Sequence, residues 1–208
     1  MQVIIIEGGI GVGKSTLLNS LKRINPEQIG IVPEIVPEQK LKLFLEGNLD
    51  ALGFQLIMAS KRLVAQHQAL ELEKTRKYVF MERSIFSDHC FAQCAIKYLR
   101  DILDYEIFAR GYLWSKAVVP DLTIYLRGSF EGQTQRIKER GRDGEAWYLT
   151  EEGIKYRQGL NLQHDVRFFH KPNTLTLNPD ELDWRNDTVA RTIFETIQQE
   201  LNERVKAS

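Results

Sequence analysis

Short apolar runs alternate with longer amphipathic stretches along the whole chain. The first run, QVIIIE (2–7), is β-branched and predicts a strand. A helix is expected after it over about residues 15–22. IGIVPE (29–34) predicts a second strand, stopped by Pro33 and Pro37, which supply no ladder donor. A long helix follows over about 53–74, and KYVFME (77–82) reads as a third strand. Two helical stretches come next, over about 84–100 and 102–115. In the second, Ile102, Tyr105, Phe108, Ala109, Tyr112 and Leu113 keep helical spacing. DLTIYLR (121–127) is a fourth strand, with helices expected over about 129–140 and 150–168. NTLTLN (173–178) is a fifth, and a last helix carries Val189, Ile193, Ile197 and Leu201 in steps of four.

Apolar strands separated by helices imply a parallel sheet covered on both faces. Right-handed crossovers make it a doubly wound α/β sandwich of five strands, with ligands beyond the carboxyl ends of its strands. The residues just after strands one to four are therefore expected to converge on one cleft. The chain has 208 residues and no repeat, low-complexity tract or linker, so residues 1–208 are read as one domain.

Composition narrows the partners. Lys plus Arg and Asp plus Glu are equal at 28 each, which gives no reason to expect nucleic acid or an anionic membrane as partner. No apolar run reaches bilayer length, and the opening residues form a strand and Gly-rich loop rather than a signal peptide. Cys90 and Cys94 are four apart on an expected helix, which suits neither a zinc set nor a Cys-x-x-Cys redox site. Reduced thiols in a cytoplasmic protein are the expectation.

The stretch GGIGVGKST (8–16) carries the first chemistry. Gly8, Gly13, Lys14 and Ser15 satisfy G-x-x-x-x-G-K-[ST], with Gly9, Ile10, Gly11, Val12 and Thr16 completing the loop. Glycines let backbone N–H groups curl around an anion, and the helix that starts there adds its positive end. Lys14 is expected at the β- and γ-phosphates of ATP, and the Ser15 hydroxyl at Mg²⁺. No Asn-Lys pair exists to read guanine, and DALG (50–53) does not close an apolar strand. A GTPase switch is thus disfavoured, and VFMER (79–83) is only a loose match to the acidic strand end of a motor ATPase.

The acceptor side is more specific. Strand two ends in Glu34, strand three in Glu82-Arg83-Ser84, and the long helix opens with Phe54-Gln55. RIKERGRDGE (136–145) adds Arg136, Arg140, Arg142 and Glu145. Taken with IEG (6–8), VPE (32–34) and ERSIFSD (82–88), these motifs resemble the deoxynucleoside kinase family, in order and over nearly the whole chain. The resemblance implies a P-loop kinase sandwich with a helical lid over about 136–148. It also implies phosphoryl transfer from Mg·ATP to the 5′-hydroxyl of a deoxynucleoside, in nucleotide salvage, by a homodimer.

It further implies residue roles. Glu34 would accept the hydroxyl proton. Arg83, Lys14, Arg136, Arg140 and Arg142 would neutralise the migrating phosphoryl, and Glu82 would share the metal with Ser15. Gln55 would pair with the base edge, and Arg62, two turns further along the same face, would hold Asp88 ionised. This Gln55, Arg62, Asp88 set resembles the branch that takes deoxycytidine and the purine deoxynucleosides over thymidine. Phe44 stands where relatives have a tyrosine, which leaves Glu145 as the main partner of the sugar 3′-hydroxyl. Phe54, Phe86 and Phe91 are candidates to stack on the base. NPDELDW (178–184) is placed by position alone at the donor adenine, and Leu56, Leu63 and Leu70 at a helix interface.

Two alternatives share the loop: a nucleoside monophosphate kinase of thymidylate kinase type, and a nucleotide-binding module without turnover. The first takes an acceptor phosphate that a carboxylate at Glu34 would repel, and usually shows Asp-Arg-Tyr where this chain has Glu-Arg-Ser.

Overall fold

The computed structural model describes residues 2–142 and 144–207. Its five strands are β1 (Gln2–Gly8), β2 (Ile29–Val32), β3 (Tyr78–Glu82), β4 (Leu122–Leu126) and β5 (Thr174–Leu177). They form one all-parallel sheet in the order β2-β3-β1-β4-β5. This is the doubly wound α/β sandwich expected from the strand–helix alternation.

The helices are α1 (Lys14–Ile24), α2 (Glu38–Leu45), α3 (Ala51–Glu73), α4 (Ile85–Ala95), α5 (Leu99–Phe108), α6 (Phe130–Arg140), α7 (Glu151–Phe168) and α8 (Asp187–Ala207). Strand periodicity sorts them onto two faces. Ile4 and Ile6 pack with Leu17, Leu18 and Leu21 of α1 and Ile193, Phe194 and Ile197 of α8. On the other face Ile5, Val79 and Met81 meet Ala65 and Ala69 of α3. Each such Ile or Leu, removed from water, contributes about 1.5–3 kcal/mol.

Three expectations change. Helix α2 occupies a stretch given no helix from the sequence. Its N-cap is Pro37, and it buries no residue fully, so its apolar signal is weak. The helix expected over 84–100 ends at Ala95, and the chain turns before α5. The helix expected over 102–115 is α-helical only to Phe108, then passes through a π turn (Ala109–Leu113) and a 3₁₀ turn (Trp114–Lys116). Among the described residues no helix is long and apolar enough to cross a membrane. Asp143, inside the expected lid, lies outside the described residues.

Register aligns the ends that matter. Ile6 pairs with Glu82, Gly8 with Leu126, and Val32 with Met81. The loop after β1, Glu34 after β2 and Arg83 after β3 therefore leave the same edge of the sheet.

Candidate active site

The loop after β1 needs its glycines. Gly8, Gly11 and Gly13 have φ of 140°, 78° and 86°, a region that L side chains rarely enter. A Cβ on Gly13 would also stand 2.9 Å from the Trp184 ring, and one on Gly11 would stand 2.7 Å from the Gln133 carbonyl oxygen. Lys14 folds back into the loop and donates to the Gly9 carbonyl at 2.8 Å. Its ammonium lies 4.0 Å from Glu82 Oε1. Burial, reinforced by the Arg83 charge, brings its pKa down to about 7. Ser15 Oγ donates to Glu82 Oε2 at 3.0 Å, so hydroxyl and carboxylate share one spot at the loop's mouth. Thr16 follows, exposed.

Beside the loop runs a chain of alternating charges. Arg83 donates from Nε to Glu34 Oε2 at 2.9 Å, and from Nη1 to the Gly8 carbonyl at 2.8 Å. Arg62 donates from Nη2 to Glu34 Oε1 at 2.8 Å and to Asp88 Oδ1 at 3.1 Å, and from Nη1 to the Glu82 carbonyl at 3.0 Å. Glu34 is thus gripped by two buried guanidinium groups. Burial opposes its ionisation, but the charges of Arg83, Arg62 and Lys14 outweigh that and hold the carboxyl well below its usual range. Asp88 behaves oppositely: burial pushes its carboxyl above the usual value even with Arg62 in contact. One guanidinium divided between two carboxylates does not fully offset the loss of water around the deeper one.

Arg83 itself has φ of 65°, a left-handed conformation uncommon outside glycine. Two bonds hold the turn. Arg83 N donates to the Ile6 carbonyl at 2.9 Å, and the fully buried Glu7 carboxylate accepts from Ser84 N at 2.7 Å and from Ser84 Oγ.

Lys14, Ser15, Glu34, Glu82, Arg83 and Asp88 line one cavity of 410 Å³ that opens beside the phosphate loop. At its far end stand Gln55, Asp88, Met58, Phe91 and the stacked pair Phe44–Phe54, whose ring centroids are 4.7 Å apart. Gln55 Nε2 and Asp88 Oδ2 are buried and have no hydrogen-bond partner among the described residues. Nearer the lid the cavity is closed by Arg140, Arg142, Glu145, Tyr148 and Tyr156.

A family model described as "Deoxynucleoside kinase" matches residues 4–204. The chain belongs to the deoxynucleoside kinase family. A deoxyadenosine kinase of Lactobacillus acidophilus is 24% identical over 227 aligned positions, spanning 98% of each chain. Two solved structures of deoxyadenosine kinase from M. mycoides share the fold. One, with bound dATP, is 24% identical with a TM-score of 0.71 and covers 94% of this chain and 99% of its own. The other, with products dCMP and a flexible dCDP bound, is 22% identical with a TM-score of 0.71 and covers 95% and 99%.

In this deoxynucleoside kinase, Glu34, Phe44, Gln55, Asp88, Arg83, Arg140, Arg142 and Glu145 line one cavity with Lys14, Ser15 and Glu82, and Arg62 stands directly behind it. Arg136 stands apart. Its Nη2 donates to the Pro179 carbonyl at 2.8 Å and to Asp180 Oδ1 at 2.5 Å. It lines a second cavity, of 760 Å³, across the phosphate loop. That cavity is walled by residues 179–185, which brings most of the NPDELDW segment beside Gly11, Gly13 and Thr16. Arg140 is forked onto Glu145 at 2.8 and 2.7 Å, so the lid arginine and the acid expected at the sugar are paired with each other.

Of the three candidate stacking residues, Phe86 lies outside the cavity, against Trp114 and under Arg167. Tyr148 and Tyr156 were not expected in the site. Their only sequence signal is aromatic weight just after a lid motif, which a core packing role would also produce.

Proposed function

We propose that this kinase transfers the γ-phosphoryl group of ATP to the 5′-hydroxyl of a deoxynucleoside, taking cytosine and adenine bases over thymine. The carrying observation is the pair of orphaned polar atoms at the cavity's far end: a donor on Gln55 and an acceptor on Asp88. A buried polar group without a partner costs about 1–3 kcal/mol, so both atoms call for a ligand. Cytosine and adenine each offer a ring-nitrogen acceptor beside an amino donor, which satisfies both atoms. Thymine offers a carbonyl oxygen and an N–H in the opposite sense. The similar proteins lend support: they are deoxyadenosine kinases, one structure holding dATP and another dCMP.

The positions of the side chains support a role for each. Glu34 is ionised and stands between the base end and the phosphate loop, where it would orient the 5′-hydroxyl and take its proton late, as that oxygen's acidity rises during transfer. Arg83 and Lys14, with Arg140 and Arg142 on the lid over 136–148, would neutralise the migrating charge, and Glu145 with Phe44 would hold the sugar. Arg136 would act on the donor side, beside residues 178–184. Mg²⁺ fits Ser15 and Glu82: their oxygens meet at the loop's mouth, and this ion needs few protein ligands when phosphates supply the rest. Bound there, it would supply charge neutralisation for the phosphates. The residues from 1 to 208 would act as one domain, in cytoplasmic salvage, and as a homodimer. Leu56 and Leu70 of α3 and Leu99, Leu103 and Ile107 of α5 are exposed for that contact, while Leu63 turns inward.

Labelled ATP supplied with deoxynucleosides and deoxynucleoside monophosphates tests the reading. Label should appear on deoxyadenosine and deoxycytidine, more slowly on thymidine. Transfer to monophosphates alone would instead support a monophosphate kinase.

A further inference from the structure

His164, on α7, is fully buried, and its ring is flanked by Phe91 and Phe168 at centroid distances of 5.9 and 5.7 Å. A polar ring in such a setting is costly unless its nitrogens are used. Both are. His164 Nδ1 lies 2.9 Å from the Leu160 carbonyl, which can only accept, so Nδ1 carries the proton. Nε2 then holds a lone pair, and the Ser87 hydroxyl lies 3.2 Å from it. With its hydrogen given to His164, Ser87 Oγ is left to accept, and Arg83 Nη1 donates to it at 3.0 Å. The other hydrogen of Arg83 Nη1 goes to the Gly8 carbonyl at 2.8 Å. Arg83 Nη1 also lies 3.4 Å from His164 Nε2 itself, a longer approach to the same lone pair than the one through Ser87 Oγ. Phe91 closes it from the side, with its ring 4.6 Å from the Arg83 guanidinium carbon.

We propose that His164 is a positioning residue for phosphoryl transfer, acting through the Ser87 hydroxyl to fix the orientation of Arg83. The proposal rests on Arg83 facing the migrating phosphoryl, as read above. A protonated ring would turn a second N–H toward Ser87 and Arg83. Burial and the Arg83 charge bring the His164 pKa down to about 3, so the ring stays neutral through the neutral range. The chain also accounts for a histidine on a helix whose neighbouring core positions, Leu160 and Phe168, are apolar.

The test uses four single variants of the full chain, His164→Leu, Ser87→Ala, His164→Gln and Arg83→Lys, and two double variants, His164→Leu with Ser87→Ala and His164→Leu with Arg83→Lys. His164→Leu and Ser87→Ala should each lower kcat roughly 10- to 100-fold, the scale of a misplaced catalytic group, with KM for ATP nearly unchanged. The double variant should be no worse than the worse single one, because both break the same chain. His164→Gln, whose amide oxygen can accept from Ser87, should recover most of the loss. In the Arg83→Lys background, His164→Leu should add nothing. Losses that multiply, or a His164→Leu loss that persists in that background, would overturn the proposal in favour of a packing role. If Arg83→Lys itself retains full kcat, the role of Arg83 falls instead, and the two failures are told apart. Nitrogen NMR of the histidine gives a readout free of turnover and of variant folding. The Nδ1–H tautomer should persist between about pH 5 and 8, and an Nε2–H tautomer would overturn the proposal.

Discussion

Lys14 donates to the carbonyl oxygen of Gly9 at 2.8 Å, inside the loop that its own backbone begins to leave. A neutral carbonyl is a weak partner for a buried cation, and burial with the Arg83 charge leaves its pKa at about 7. A triphosphate would replace that carbonyl with full negative charge and return the lysine toward its ordinary value of about 10.4. Between those values the free protein lacks a proton that the complex holds. ATP affinity should therefore be complete below about pH 7 and fall up to about tenfold per pH unit above it. Calorimetry near pH 8 in buffers of different ionisation enthalpy should show uptake of close to one proton per ATP. No uptake would show that Lys14 is already charged in the free protein.

Glu34 titrates the other way. A carboxyl whose folded pKa lies below its unfolded value, near 4.3, stabilises the fold above that value and loses the contribution as pH falls through the folded one. Held low by Arg83, Arg62 and Lys14 against the effect of burial, Glu34 stays ionised throughout the range in which the protein works. Glu34→Gln should lower kcat by about 10²–10⁴-fold with deoxynucleoside binding largely kept, since the amide oxygen still accepts one arginine bond. The wild-type profile should show no acid limb from this residue above about pH 5. If binding falls while turnover per bound complex does not, Glu34 is not the proton acceptor.

Arg62 joins two carboxylates through one nitrogen, and that makes its removal asymmetric. Arg62→Met leaves Asp88 buried and unpaired and should destabilise the fold by about 3–5 kcal/mol. Asp88→Ala leaves Arg62 paired with Glu34 and should be milder. The double variant should be more stable than Arg62→Met alone, because no charge is stranded. It should also move the ratio of kcat/KM toward thymidine. Denaturant unfolding checks the first claim and a substrate panel the second; an unchanged ranking of nucleosides would remove Asp88 from base selection.

Much of this architecture is legible in the sequence. The β-branched runs at 2–7 and 77–82 marked central strands because a strand buried on both faces tolerates little else. Their ends then placed Glu34 and Arg83 at one edge. Helix α2 was hidden because its residues stay largely in contact with water, so EQKLKLFL carries no clear core stripe. Tyr148, Tyr156 and His164 reach the site only because α7 and the turn before it fold over the phosphate loop. No local pattern encodes that approach. Arg136 shares a helix face with Arg140, yet its guanidinium is drawn to Asp180 on the far side of the loop. Spacing along a helix gave the shared face and not the partner.

Gly13 shows how tightly the donor side is built. Its φ of 86° alone makes alanine unfavourable, and the Trp184 ring would lie 2.9 Å from the added methyl. Trp184 is buried in the core shared by β1, α1 and α8, so it has little room to retreat. Gly13→Ala should lower stability by about 1–3 kcal/mol through backbone strain and crowding together. It should also weaken ATP binding, because the shifted turn misdirects the N–H groups at the start of α1. Replacing Trp184 with Leu in the same chain should restore part of the ATP affinity, removing the clash and leaving the strain. ATP binding at wild-type strength in Gly13→Ala would mean that the turn relaxes freely and that Trp184 does not brace it.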